Sequence, residues 1–337
     1  EHHDGLPVID GPPDALMQFP DVFCPLKHAN PVKAEAPKAS APYKGSVAMK
    51  PKKSTLAIFL LPAIVLFLLI YLLPLLLVVC TSFFNWKIGS PIFFSGLENY
   101  LKAVQDKNVH AAVGHTLIWV LLQSTVHVFL GTLLAFILAK QFRGWKVFRT
   151  VCMLPNVIST AALAMILLNV FKTDSGLLNG IISLITGNKF EWNWYFNSKT
   201  AIPSVTLGWL LYPGLITILM LAAINSIPMD LLDAAKIDGA SASQINLMII
   251  LPMVRNSLGT CVIIAATSML KEFELIYLTT GGGPGNMTLN LPLYIYKVAF
   301  KENNYSYSNA LSTMLILFGI IIVFAINRMF RMDESDY

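Results

Sequence analysis

The sequence predicts an all-α, polytopic membrane protein with six transmembrane helices and a short cytoplasmic helix between the fourth and fifth. Three observations carry that prediction. Of the 337 residues, 55% are hydrophobic and 13% charged, with a mean hydropathy of +0.63, whereas soluble domains carry roughly a quarter charged residues. Apolar runs long enough to cross a bilayer, for which a helix needs ~20 residues, occur at about 56–84, 112–139, 151–171, 202–224, 253–276 and 308–330. Lys and Arg fall in alternate connections between those runs, as they do when cationic side chains are retained on one side of a membrane.

The elements follow in order. Residues 1–48 are Pro-rich, begin Glu1-His2-His3-Asp4 and lack hydrophobic periodicity, so they cannot build a core. Met49-Lys50-Pro51-Lys52-Lys53 runs straight into the first span and reads as a bacterial start. Residues 1–48 are therefore expected to be a disordered, vector-derived or upstream extension without a functional role, and 49–337 the membrane domain. Pro155 and Asn156 interrupt the first turns of the third span, and Lys271, Glu272 and Glu274 lie near the end of the fifth. The other four runs are clear.

Lys140, Arg143, Lys146 and Arg149 stand in the second connection with no acid among them, which places that loop in the cytoplasm. Both termini and the connection containing Asp233 then face the cytoplasm as well. The segments at about 85–111, 172–201 and 277–307 face outward, their Lys residues offset by Glu98, Asp106, Asp174, Glu191 and Glu302. The expected location is the bacterial cytoplasmic membrane. The net charge of +5 reflects this topology. No basic cluster lies beside aromatics as nucleic-acid binding would require.

Cys24, Cys80, Cys152 and Cys261 show no pairing or metal-ligand spacing and read as small packing residues. His110, His115 and His127 around the second span form no ligand cluster. No metal or cofactor bound by this chain is expected, and no Gly-x-x-x-x-Gly-Lys-Ser/Thr is present. Gly281-Gly282-Gly283 lacks the following Lys of a phosphate loop.

The connection at about 226–252 is the most informative stretch. Ser226 can cap, Pro228 suits a first turn, and Asp230 and Asp233 lie where a helix dipole favours carboxylates. A short helix is predicted over about 228–243. Leu231, Ala235, Gly239 and Ala242 recur at helical spacing, giving a face shallow enough for another protein to approach. Gly inside a helix costs about 1 kcal/mol relative to Ala, so Gly239 predicts either close backbone approach or a sharp turn.

Asp233-Ala234-Ala235-Lys236-Ile237-Asp238-Gly239-Ala240, followed by Ile249-Ile250-Leu251-Pro252, resembles the cytoplasmic EAA signature loop of binding-protein-dependent ABC importer permeases. Asp233 stands where Glu is usual in that family, keeping the charge and shortening its reach. A second segment, Leu278-Thr279-Thr280-Gly281-Gly282-Gly283-Pro284 with Thr288, Tyr294-Ile295-Tyr296 and Ala299-Phe300, resembles the carbohydrate-uptake branch, the maltose-type and glycerol-phosphate-type permeases.

The resemblance implies the type I ABC importer permease fold. It implies that the short helix seats in a groove of a separate ATPase, whose closure swings the spans between inward-open and outward-open. The coupling residues it implies are Asp233, Ala234, Ala235, Asp238, Gly239, Ala240 and Pro252. The implied partners are a second, homologous permease subunit, two ABC ATPase subunits that use ATP and Mg, and an extracellular solute-binding protein that delivers the substrate. This chain would be a translocation subunit rather than an enzyme.

Polar residues inside spans are costly and usually face a cavity or a neighbouring helix. Ser268 and Glu272 are predicted to share a face at i,i+4, and Lys271 and Glu274 to neutralise each other at i,i+3. The resemblance places a membrane-bound sugar in these regions, so Tyr212, Ser268, Met269 and Glu272 are the substrate-path candidates. A sugar or oligosaccharide suits stacking on aromatics and hydrogen bonds to hydroxyls, whereas a glycerol phosphate or other polyol would use a cation such as Lys271. A lone carrier driven by an ion gradient would show deep intramembrane charges and internal repeats; neither is evident.

Overall fold

The computed structural model describes residues 53–210 and 212–330. The expectation for residues 1–48 lies outside them. The described residues fold almost wholly into helices, with one two-stranded hairpin among them in which Phe84–Asn85 pairs antiparallel with Phe93–Phe94. Among the described residues, four helices are long and apolar enough to cross a membrane without a sharp bend: Phe59–Thr81, Lys107–Ala139, Ala201–Asn225, in which Tyr212 and Pro213 stand outside regular helix, and Tyr305–Phe330. Two more are bent pairs, Trp145–Val157 with Thr160–Val170 at 100° and Ala242–Met253 with Arg255–Lys271 at 69°. Counting each pair as one gives the six expected spans, and the two interrupted ones are the third and fifth.

The causes of the bends are local. In the third span Pro155 cannot donate to the helix ladder, the helix stops at Val157, and Ser159 opens the next one by accepting from the Ala162 amide at 3.3 Å. The third span thus begins at Trp145 rather than near 151. In the fifth, Pro252 lies inside the last turn of Ala242–Met253, and the chain bends at Val254 before Arg255–Lys271. Glu272 is extended and Glu274 starts a separate helix, Glu274–Thr279. The fifth span therefore ends at Lys271 instead of near 276. Ser268 and Glu272 lie four residues apart at the end of one helix, Glu272 as its C-cap, whereas the predicted i,i+3 neutralisation of Lys271 by Glu274 does not form among the described residues, because Lys271 ends one helix and Glu274 begins the next.

Small residues let the spans approach closely, as in membrane helix packing generally. A Cβ on Gly131 of the second span would lie 2.7 Å from Ile216 Cγ2 of the fourth. Trp119 and Trp209 meet edge to face at 5.2 Å in the same interface, and Trp119 Nε1 donates to Thr206 Oγ1 at 3.0 Å. His115 and His127 each place Nδ1 against a backbone carbonyl, of Leu289 at 2.9 Å and Leu210 at 3.3 Å. Cys80, Cys152 and Cys261 are unpaired.

One end of the bundle is tied by Asp106. Its carboxylate caps the second span through the Asn108 amide at 2.9 Å and accepts from the hydroxyls of Tyr294 at 2.5 Å and Tyr307 at 2.9 Å. Burial alone would raise this carboxyl, but the hydrogen bonds from Tyr294, Asn108, Tyr307 and Val109 outweigh it and leave Asp106 below its ordinary value of 3.8. A lowered folded-state value stabilises the fold above the unfolded value, and the contribution disappears as pH falls through the lowered one. Asp106→Ala is expected to destabilise by about 2–4 kcal/mol, a lost cap plus charge-assisted bonds. Asp106→Asn should cost less. Melting of the purified proteins checks both, and the deficit of the Asn variant should hold above about pH 4 and shrink below it.

Candidate coupling loop and substrate path

The connection after the fourth span forms one short helix, Met229–Ile237, followed directly by a turn. Pro228 occupies its N-cap with extended backbone (ψ 129°), Asp230 lies in the first turn and Lys236 in the last, matching the helix dipole at both ends. Lys236 Nζ also pairs with Asp233 Oδ1 at 2.8 Å, with both side chains more than half exposed, so that pair contributes little stability.

The end of the helix is set by Gly239. Its amide donates to the Lys236 carbonyl at 3.0 Å and the Ala240 amide reaches back to the Ala235 carbonyl at 3.0 Å. These are the two bonds of a Schellman motif, with Gly239 at φ +84° in the left-handed position the motif requires. A Cβ there would meet nothing within 4 Å, so conformation and not crowding selects glycine. Ser241 then opens the next helix with a capping box to Gln244. The predicted helix over about 228–243 is corrected accordingly: it ends at Ile237, and Gly239 and Ala242 lie beyond it.

Which face looks outward is also decided here. Ala235 is buried and Leu232 half-buried against the bundle. Asp230, Asp233, Ala234 and Ile237, spaced i, i+3, i+4 and i+7, are exposed, Ile237 by 87%. The expected shallow face through Leu231 and Ala235 is therefore split, since Ala235 seats the helix on its own bundle. Asp238 and Pro252 are exposed and Ala240 is half-buried. A cavity of about 410 Å³ under the helix is lined by Met229 and Leu232 together with Lys140 and Gln141, which puts the basic connection at the same end of the bundle. The sequence reading missed Ile237 and Met229 as exposed apolar residues; the available signal was a large apolar side chain at each end of a nine-residue helix.

The substrate-path candidates do not form one constellation. Met269 is buried in the core. Ser268 is exposed and its hydroxyl donates to the Ala265 carbonyl at 2.7 Å. Tyr212 is half-buried at the interruption of the fourth span, and its carbonyl accepts from Asn156 Nδ2 at 3.4 Å. Glu272 is half-buried, with Oε1 accepting from the Leu275 amide at 3.1 Å, so it caps the short helix Glu274–Thr279 and keeps its other oxygen unengaged by that bond. The triple-glycine loop closes on its own neighbours: Thr280 and Thr288 share a hydroxyl hydrogen bond at 2.6 Å and Thr288 donates to the Gly283 carbonyl at 2.8 Å.

With this geometry in place, comparison with known proteins is direct. Over 284 residues the chain is 30% identical to a probable ABC transporter permease, YurN, of Bacillus subtilis (strain 168), covering 83% of this chain and 97% of that protein. It is 30% identical over 272 residues to the multiple sugar-binding transport system permease protein MsmF of Streptococcus mutans, covering 80% and 92%. The crystal structure of a bacterial alginate ABC transporter, in complex with an alginate pentasaccharide-bound periplasmic protein, contains a chain that superposes with a TM-score of 0.73 at 22% identity, covering 84% and 96%. The fold is thus that of type I ABC importer permeases. Residues 127–333, which hold the second half of the second span, both bent spans, the Gly239-terminated helix and the last span, match the family model in full view of these relatives, and the chain belongs to the family described as the binding-protein-dependent transport system inner membrane component.

Proposed function

We propose that this permease is one translocating half of an ATP-driven sugar importer, with Met229–Ile237 as the helix that docks a separate ATPase. The observation that carries the reading is the outward stripe of Asp230, Asp233, Ala234 and Ile237 on a helix ended by Gly239. The helix is rooted by Ala235 and Leu232 to the spans, so a push on its outer face is transmitted to the bundle as a rigid displacement. Asp233, Ala234, Asp238 and Ala240 serve the docking face and its turn; Ala235 and Pro252 join it to the bundle and to the bend in the fifth span.

The sugar assignment draws on the relatives: the Streptococcus mutans protein is a sugar-transport permease by name, and the structural neighbour belongs to an alginate transporter. Tyr212, Ser268 and Glu272 are the side chains proposed to meet the substrate, with Met269 packing behind them. The basic connection containing Lys140 and Arg143 argues for a cytoplasmic docking end and cytoplasmic termini in a bacterial inner membrane. ATP and Mg belong to the ATPase pair. A second, homologous permease and an external binding protein complete the proposed assembly.

Mild extraction from the native membrane through a C-terminal tag is the test. Stoichiometric recovery of a second six-span permease and an ATPase is expected. Recovery of this chain alone, still able to transport without ATP, would overturn the proposal.

A further inference from the structure

Two i,i+4 aromatic pairs meet at the end of the bundle opposite the docking helix. Phe273 and Tyr277 enter and follow the short helix that begins after Glu272, stacked at 5.1 Å with 18° between their planes. Tyr296 and Phe300 lie on Leu291–Phe300, 5.1 Å apart. The pairs close on each other through Phe273–Tyr296 at 4.9 Å and Tyr277–Tyr296 at 5.3 Å. Phe273 and Tyr296 pack with one side against the core, while Tyr277 is 38% and Phe300 63% exposed, so the outer half of this four-ring surface is free. A cavity of about 330 Å³ lies over Phe273, Tyr296 and Phe300 and is walled by Ser308 and Asn309. That is at the small end of the roughly 300–1,000 Å³ range of ligand sites.

We propose that this surface is a stacking subsite for a single pyranose ring at the mouth of the substrate path. A pyranose presents an apolar face of C–H groups and a rim of hydroxyls, so it needs a flat aromatic floor with hydrogen-bonding groups at the side. The cavity supplies both. Ser308 is 4% exposed yet lines it, which places a hydroxyl in the wall. Asn309 commits Nδ2 to Thr81 Oγ1 at 2.7 Å and leaves its amide oxygen for a hydroxyl donor. A lipid chain would gain nothing from that polar wall. The floor also adjoins the path directly, since Phe273 is the residue after Glu272.

The proposal rests on the sugar reading, and the test separates the two. The full-length protein in nanodiscs is offered methyl β-D-xylopyranoside, methyl α-D-glucopyranoside and maltotriose separately, and saturation transfer from protein to ring protons is recorded. At least one sugar is expected to receive saturation, with roughly tenfold weaker binding in Tyr296→Leu and Phe300→Leu, the scale of a lost aromatic contact. Tyr296→Trp, which keeps a ring, should retain binding and controls for folding. Binding that is unchanged by the Leu variants, or is lost equally in the Trp variant, overturns the subsite. So does absence of transfer to the wild type. Uptake of the same sugars by cells carrying the wild-type chain then judges the importer reading independently.

Discussion

Gly214→Ala is expected to separate the third and fourth spans and to lower the melting temperature of the purified protein more than any other single-methyl addition described here. A Cβ on Gly214 would lie 2.3 Å from the Cys152 carbonyl oxygen and 2.7 Å from Asn156 Nδ2. Both neighbours belong to the helix Trp145–Val157. A carbonyl oxygen in a helix cannot rotate aside, so the helices themselves must move. Overpacking a well-fitted interface typically costs about 1–3 kcal/mol, and a backbone clash belongs at or beyond the upper end.

Two comparisons isolate the cause. Gly131→Ala meets the side chain of Ile216 at 2.7 Å, which has some freedom to shift, so its penalty should be smaller. Gly114→Ala meets nothing within 4 Å and should be neutral or slightly stabilising, since Ala favours helix by about 1 kcal/mol. If Gly214→Ala melts with Gly114→Ala, the close approach of the third and fourth spans is wrong.

Gly239→Val should leave the spans inserted and the protein soluble in mild detergent, yet reduce uptake by at least about tenfold, the effect of roughly 1.4 kcal/mol. The left-handed conformation costs an L-residue about 1–2 kcal/mol, and a β-branched side chain more. Space is no obstacle at this position, so the damage falls on the two backbone bonds that end the helix and set its angle to Ser241. Asn tolerates the left-handed region and often replaces Gly at helix ends. Gly239→Asn should therefore restore most uptake. Equal loss in both variants would mean that the turn's conformation is not what couples the helix to transport.

These two glycines also show how far the sequence could be read. Gly239 was legible as a punctuating residue, because glycine is costly inside a helix and leaves two explanations, close backbone approach or a sharp turn, of which the structure shows the turn. Gly214 was not legible, because its role depends on a carbonyl 62 positions earlier in the chain (214 minus 152). Asp106 was counted only as one of several outward acids, since the hydroxyls of Tyr294 and Tyr307 that make it a tie between elements lie almost 200 residues away. The expected ion pair of Lys271 with Glu274 shows the opposite error: periodicity was extended across Glu272, where the chain leaves the helix, so partners assigned by i,i+3 spacing stand on two separate helices.

By itself the sequence determined the membrane setting, the six spans, the two weak ones among them and the signature loop, because each of these rests on composition or on spacing within a few residues. Tertiary structure decided where the third and fifth spans bend, that Ala235 faces inward while Asp233 and Ile237 face out, and that four aromatic rings from separate helices form one surface. Apolar residues satisfy a bilayer, a bundle core or a ligand equally well. Only the positions of the surrounding helices determine which of those three each side chain meets.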